Sequence, residues 1–207
     1  MARSRDISKV LSSNSTLATD AEVAATYQTK ATAGSTLLVP TSITATGGSG
    51  SIGTNGTVSF TSASAISLNG CFSSTYEFYM IQIKAVCSLN TQNFLWRWRA
   101  SGTDLTALNY YNARMNTNTS GSVSGGGAGA ANSTQLNQIA TGMGFYSIFA
   151  GHTQTEPRLN GNSYNAELSG LTTFASGYRA TQAVDGFTIY PGGGTITGKI
   201  SVYGCNE

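Results

Sequence analysis

Two long stretches of this sequence alternate apolar and polar side chains with a period of two. They are TYEFYMIQIKAVC (residues 75–87) and NFLWRWRASGTD (residues 93–104). The apolar faces comprise Tyr79, Ile81, Ile83, Ala85 and Cys87 in the first stretch, and Phe94, Trp96 and Trp98 in the second. Such alternation is typical of half-buried β-strands, and a register slip of one residue would place both tryptophans in water. The pattern therefore predicts two strands that each pack one face on a core.

Glycine-rich turns separate further short apolar runs. Asn55-Gly56 is a strong hairpin signal, and Ile66 and Leu68 alternate in the next run along the chain. The end of the chain, DGFTIYPGGGTITGKISVYG, predicts a closing hairpin around Pro-Gly-Gly-Gly. Its strands carry Phe187, Ile189, Ile196, Ile200 and Val202. Because there is no helix signal after about residue 31, we expect an all-β, antiparallel, jelly-roll-like β-sandwich.

The segment from Thr117 to Thr134 has low sequence complexity and no large side chain. Runs of glycine, serine and alanine of this kind are typical of flexible connections. We therefore expect a long loop at this point in the chain.

The first 36 residues differ in pattern from the rest of the chain and predict a helical attachment or oligomerisation segment, with a head domain at 37–207. The apolar side chains at helical spacing are Ile7, Val10 and Leu11 in a helix at 4–12, and Val23 and Tyr27 in a helix at 20–31. Helices this short are marginal alone, so other copies or a larger partner would have to bury these stripes. A frayed tail is the alternative interpretation.

The composition excludes several classes of protein. Charged residues make up 10% of the chain, against roughly 25% in an average soluble protein. A net charge of +2 offers no basis for binding nucleic acid or an anionic membrane. No apolar run approaches the ~20 residues of a membrane span, and the N-terminus lacks the apolar core of a secretory signal. We therefore expect a chain made in a cytoplasm, with no membrane insertion.

Residues for catalysis are scarce, which predicts a protein that is not an enzyme and uses no cofactor or metal. His152 is the single histidine, and no nucleophile motif accompanies it. A glycan-degrading enzyme would need two facing carboxylates. The candidates for such a pair are Asp104, Glu156, Glu167 and Asp185, and the sequence favours no two of them.

Aromatic residues and cysteines leave several interpretations open. Trp96 and Trp98 predict a core face, with a stacking platform for sugars as the alternative. In LNYYNARM we expect Tyr110, Tyr111 and Arg114 as candidate surface contacts, although core or sheet-surface roles fit equally. The three cysteines match no zinc or redox spacing, so we expect buried thiols, with one disulfide as the alternative. They are Cys71, Cys87 and Cys205.

Three segments resemble structural proteins from the virions of tailed bacteriophages. DGFTIYPGGGTITGKISVYGCNE is similar to their closing motif of aromatic strand, glycine turn and G-x-I/L-x-V/L-Y-G. The central GTVSFTSASAISLNGCFSSTYEFYMIQIKA is similar to a sandwich module of these proteins. Its motif residues are Phe72, Ser73, Ser74, Tyr76 and Tyr79. The N-terminus MARSRDISKVLSSNSTLATDAEV resembles the start of appendage proteins of marine and cyanobacterial phages.

This resemblance implies a virion protein that is made in the host cytoplasm. The leading hypothesis is a homotrimeric tail fibre or appendage subunit, joined to other virion proteins through its N-terminus, that attaches to host-surface glycans. The alternative is a capsid decoration protein that stabilises the shell. A glycan depolymerase is a third hypothesis, and it requires the carboxylate pair described above.

Overall fold

All described secondary structure belongs to the unit Ser35–Glu207. The computed structural model describes residues 34–117, 122–151, 156–166 and 170–206. Within these ranges every regular element is a β-strand, every strand pairing is antiparallel, and no helix occurs. The predicted all-β antiparallel class is confirmed. In this part of the chain no helix is long and apolar enough to cross a bilayer.

The strands are, in chain order, β1 (Ser35–Leu37), β2 (Ser42–Thr46), β3 (Ser49–Ile52), β4 (Val58–Ala63), β5 (Ala65–Asn69), β6 (Phe78–Cys87), β7 (Gln92–Ala100), β8 (Thr103–Asp104), β9 (Tyr110–Thr117), β10 (Val123–Ala131), β11 (Thr134–Ile139), β12 (Gly144–Gly151), β13 (Arg158–Asn165), β14 (Gly170–Tyr178), β15 (Gly186–Pro191) and β16 (Ile196–Cys205).

The strands form two sheets. The larger sheet has the order β10-β9-β14-β13-β12-β6-β16-β4-β3, and β1 pairs with the C-terminal part of β16, beside β4. The smaller sheet has the order β11-β7-β15-β5-β2, and β8 pairs with the end of β7. Strands that are adjacent in the sheets are often distant in sequence, so the order brings together residues that no local pattern connects.

The core lies between the two sheets, which pack face to face. Phe94 of β7 meets Tyr146 of β12 with their ring centroids 4.7 Å apart. Trp96 stacks on Phe187 with the ring centroids at 4.1 Å. Trp96 and Trp98 are 0% and 1% exposed, so their predicted core role is confirmed and a sugar-stacking platform is excluded. Burying a large apolar side chain stabilises the fold by about 1.5–3 kcal/mol, which makes this aromatic cluster a principal source of stability.

The predicted closing hairpin is wrong. β15 pairs with β5 and β7 in the smaller sheet, whereas β16 pairs with β6 and β4 in the larger one. The Pro-Gly-Gly-Gly segment therefore crosses from one sheet to the other, with Gly194 at a φ of 74°. Both strands form where alternation predicts them, but two strands that share a turn need not share a ladder. β16 pairs along its whole length with β6, as expected for a terminal strand held in the sheet.

The predicted loop from Thr117 to Thr134 is also wrong, because β10 occupies half of it. The strand lies at the edge of the larger sheet and pairs with β9 from Val123, opposite Thr117, to Ala131, opposite Tyr110. Backbone hydrogen bonds need no large side chain, so a run of glycine and alanine still pairs with β9. A register shift between Ala128 and Ala131 accompanies Ala130, whose φ is 52°.

Two further expectations have different outcomes. The Asn55-Gly56 hairpin is confirmed, since β3 and β4 pair across it and Gly56 adopts a φ of 86°. The predicted helices at 4–12 and 20–31 lie outside the described residues. The apolar residues predicted for attachment lie there too, namely Ile7, Val10, Leu11, Val23 and Tyr27.

Candidate ligand-binding surface

The outer face of the larger sheet carries most of the exposed large apolar side chains of the described structure. Large apolar residues that reach solvent from this face are Phe78, Met115, Val123, Phe145, Phe149, Tyr164 and Leu171, with exposed fractions between 37% and 61%. On the same strands the alternate residues point into the core. An apolar outer face on this scale marks a surface for contact with another molecule.

Strand register places these side chains in rows across the sheet, because residues opposite each other in a ladder point to the same face. One row comprises Phe78, Gly151, Arg158, Gly177 and Tyr111. The next row comprises Met80, Phe149, Asn160, Ala175 and Ala113. The first row therefore has a ring at each side and a glycine on either side of Arg158. In the second row Phe149 is the one ring, and two alanines lie beyond Asn160.

This distribution of sizes creates a hollow that we call the outer trough. Its first part has a volume of about 630 Å³ and lies over these two rows, between Phe78, Phe149 and Tyr111. Its second part, of about 500 Å³, continues over Asn160 to Asn162 and Thr173. The two parts share Phe149, Asn160, Ala113 and Ala175. The trough follows β13 for the four residue steps from position 158 to 162, about 13 Å at the rise of a strand.

Gly177 leaves room for the side chain of Tyr111, which forms one wall of the trough. The Tyr111 ring lies directly over Gly177, and a Cβ at this position would overlap that ring. The outer end of the Tyr111 ring therefore lies close against the backbone of the sheet at this row. The guanidinium carbon of Arg179 lies 4.7 Å from the centroid of the same ring. This cation–π contact holds Tyr111 and Arg179 together at one end of the trough.

The same end of the trough carries its charged groups, and we call it the cationic end. Arg158 donates a hydrogen bond to Glu156 at 2.6 Å, and this bond raises the pKa of the guanidinium. A second hollow of about 520 Å³ adjoins the trough through Arg158 and is also lined by Glu156 and Arg179. Two guanidinium groups and one carboxylate thus line this end, a net charge of +1 from these three side chains.

The three predicted surface contacts have three different locations. Tyr111 forms part of the outer trough. Tyr110 is 0% exposed, so its expected surface role is wrong: its hydroxyl donates to the Leu105 carbonyl and accepts from the Trp98 amide, both at 2.9 Å. Arg114 lies on the opposite face of β9 from Tyr111, beside Gly126 of β10. The alternation of the strand separates neighbours that the sequence grouped together.

Asp104 and Glu156, two of the carboxylates offered for glycan hydrolysis, form no pair, and Asp185 lies beside Arg99, whose carbonyl accepts the Asp185 amide. Asp104 accepts hydrogen bonds from Arg99 and from Thr188 on the outer side of the smaller sheet, whereas Glu156 bonds Arg158 on the larger one. These two carboxylates therefore lie on opposite faces of the molecule. Glu167 and His152 lie outside the described residues. Among the residues that are described, no three His, Cys, Asp or Glu side chains come together as a metal site.

All three cysteines are buried and unpaired, which confirms their expected role as small core side chains. Burial is the main cause of a raised pKa at the Cys71 thiol, and the nearby charge of Asp185 adds to it. A thiol in this state is a poor nucleophile and a poor metal ligand. The cysteines therefore add no chemistry to the surface.

Sequence reasoning missed Phe78, Phe149, Arg158 and Arg179. A signal for Phe149 is present in GFYSIFAG, where both faces of the alternating strand carry phenylalanine or tyrosine. An aromatic residue on the face expected to be polar indicates a surface that contacts something else. The arginines gave no signal, because only the sheet order places them beside Tyr111.

No protein-family model and no curated protein sequence matches this chain. Peanut lectin bound to a nine-residue peptide is a similar solved structure, with a TM-score of 0.45 and 10% identity over 82% of this chain and 96% of that one. A Lotus tetragonolobus seed lectin is similar with a TM-score of 0.29 and 10% identity, over 83% of this chain and 94% of that one. The binding domain of botulinum neurotoxin serotype G is similar with a TM-score of 0.23 and 8% identity, over 84% of this chain and 44% of that one. TM-scores below 0.5 carry no argument about function.

Proposed function

We propose that this chain is a non-enzymatic virion structural protein, a fibre or appendage subunit. In this proposal its β-sandwich head, of jelly-roll-like type, binds saccharides of a host surface through the outer trough. The trough is the single observation that carries the binding role. The virion setting rests on the resemblance of the closing strand and of the central segment to phage structural proteins.

The lining of the trough supports a saccharide ligand. Exposed rings at Phe78 and Phe149 offer flat apolar surfaces, and Asn160 and Arg158 present planar polar groups on the neighbouring strand β13. A pocket that binds a small ligand combines mostly apolar lining with a few polar groups that fix orientation. Sugars have C–H faces that pack on rings and hydroxyls that bond amides and guanidinium groups, so this lining suits them.

The position of the trough disfavours a peptide strand as ligand. β12, β13 and β14 are each paired on both sides, so their backbone groups are already engaged in ladders. Peptides that add a strand to a sheet need an open edge. Recognition at the trough must therefore come from side chains.

Self-association and attachment complete the proposal. Residues 1–36 would join the chain to the particle, and a homotrimer would present three troughs, which raises avidity without new contacts. An apolar row beyond the trough supports contact between copies: Phe145, Tyr164, Leu171 and Val123 are 46%, 47%, 52% and 61% exposed. The expected site of synthesis is the host cytoplasm.

Location on the particle and competition for cells test this function together. We expect an antibody against residues 37–207 to label tails or fibres, and the purified full chain to compete with particles for host cells. Label spread over the head, with binding to shells and none to cells, would contradict the proposal and favour a decoration protein that stabilises the capsid.

A further inference from the structure

We infer that the outer trough takes an extended oligosaccharide that carries a carboxylate, with the acidic group held at the cationic end. This inference rests on the proposed function, because it names the ligand class of the same site. It adds a direction to the site, since one end of the trough is charged and the remainder is not.

The first step of the argument is the asymmetry of charge along the trough. From Phe149 to Thr173 the side chains that point outward are apolar or neutral, with Asn160, Asn162 and Thr173 as the polar ones. Arg114 also borders this part, but the alternation of β9 directs its side chain to the opposite face. At the opposite end Arg158, Arg179 and Tyr111 come together around the adjoining hollow. A ligand that fills both regions must be neutral over most of its length and negative at one end.

The second step concerns which arginine is available. Arg158 already shares its charge with Glu156. Arg179 makes no ion pair within the described residues, and its guanidinium rests on the Tyr111 ring. A guanidinium presents a planar fork of donors that matches a carboxylate in a bidentate pair. Because the contact with Tyr111 already restrains the Arg179 side chain, less side-chain entropy is lost when that pair forms.

The third step is that the ligand must fill the whole trough and not only its cationic end. Phe78 lies across from Gly151 and Phe149 lies two residues before it on β12, so a sugar ring laid over Gly151 would have its next unit over Arg158. The extended shape follows from the length of about 13 Å along β13, too long for a single small anion. Free carboxylate or phosphate alone would use the arginines and leave the apolar part empty.

A panel of immobilised acidic oligosaccharides, containing uronic and nonulosonic acids, tests the inference beside the same compounds after reduction of their carboxyl groups. We expect the full-length protein to bind at least one acidic compound at least tenfold more tightly than its reduced form. Arg179→Gln should weaken that binding by about tenfold or more, as expected for loss of a charge-assisted hydrogen bond. Arg158→Gln should weaken it less, because Glu156 already offsets the charge of Arg158.

Lys84→Gln is the matched control, since it removes one positive charge from the same outer face. Register places Lys84 six residue steps along the strands from the row of Arg158, about 20 Å away, well beyond the ~8 Å Debye length at physiological salt. Binding by this variant should equal that of the natural sequence. Thermal unfolding of each variant checks that the fold is unchanged.

The outcomes separate the inference from the proposed function. Equal binding of acidic and reduced compounds, or equal losses in Arg179→Gln and Lys84→Gln, would overturn the inference and leave saccharide binding in place. If no compound of either kind binds, the proposed function fails and the inference fails with it.

Discussion

The two hydrogen bonds of the Tyr110 hydroxyl join the sheets of the sandwich. The residue belongs to β9 of the larger sheet, and its hydroxyl bonds the backbone of Trp98 and Leu105. Tyr111, the next residue, lies on the outer face and forms a wall of the trough. A single step along a strand therefore divides a structural tyrosine from a candidate binding residue.

Tyr110→Phe should lower the free energy of unfolding by about 1–3 kcal/mol, because it leaves a buried amide and a carbonyl without their partner. Urea denaturation measures the change. Tyr164→Phe is the control, since this tyrosine is 47% exposed and the substitution should change stability by less than about 0.5 kcal/mol. Equal effects of the two substitutions would contradict the role assigned to Tyr110.

Three buried acids make stability fall at alkaline pH. Burial raises the pKa of Cys71, Tyr110 and Tyr146 above their usual values. The folded state therefore keeps these protons after the unfolded chain has lost them, near pH 8.5 for a thiol and 10 for a phenol. The free energy of unfolding should be level up to about pH 8, then fall by up to ~1.4 kcal/mol per pH unit for each group.

Urea titrations at stepped pH values test this expectation. Cys71→Ala should remove the part of the decline that begins near pH 8.5, while the tyrosine part near pH 10 stays. An unchanged decline between these values in the variant would show that the thiol is not its source.

At the scale of elements, regular alternation was predictable from the sequence and pairing was not. β6 and β7 carry apolar residues at every second position, and their buried faces match the alternation residue by residue. β10 has no such pattern because both of its faces meet solvent or small neighbours, so only its backbone pairing with β9 defines it. The closing strands alternate clearly, yet alternation does not say which sheet a strand joins.

Amide hydrogen exchange should rank the strands of the larger sheet by their neighbours. β6 is paired on both sides by β12 and β16, whereas β10 lies at the edge and pairs with β9 alone. Opening an edge strand breaks one ladder and exposes little apolar area, so β10 should exchange much faster than β6. Protection in β10 equal to that in β6 would mean that its outer edge is covered, for example by another copy.

The hairpin between β3 and β4 depends on glycine at one position. Gly56 has a φ of 86°, and a Cβ there would overlap the carbonyl oxygen of Leu38. Gly56→Ala should therefore cost about 1–3 kcal/mol of stability, as measured by urea denaturation. Gly129→Ala in β10 is the control: its added Cβ would point into open space, so the free energy of unfolding should be unchanged or slightly higher. A neutral Gly56→Ala would show that the turn can rearrange.

At the scale of the molecule, the candidate site is a product of strand order. Phe78, Tyr111, Phe149, Arg158 and Ala175 come from five strands spread over about half of the chain, and register alone aligns them. Sequence analysis identified the two-sheet class and the aromatic core from alternation. It could not identify the trough, because the order β9-β14-β13-β12-β6 is set by packing between the sheets and not by any local signal.

Binding of the full-length protein to host cells, compared between Phe149→Ala and Leu89→Ala, tests the central claim most directly. Both residues are exposed apolar side chains, at 43% and 48%, but only Phe149 lines the trough. Loss of a stacking ring from a binding site should reduce affinity by about tenfold or more, whereas Leu89→Ala should leave it unchanged. Equal binding by the two variants would contradict the assignment of the outer trough as the surface that contacts the host.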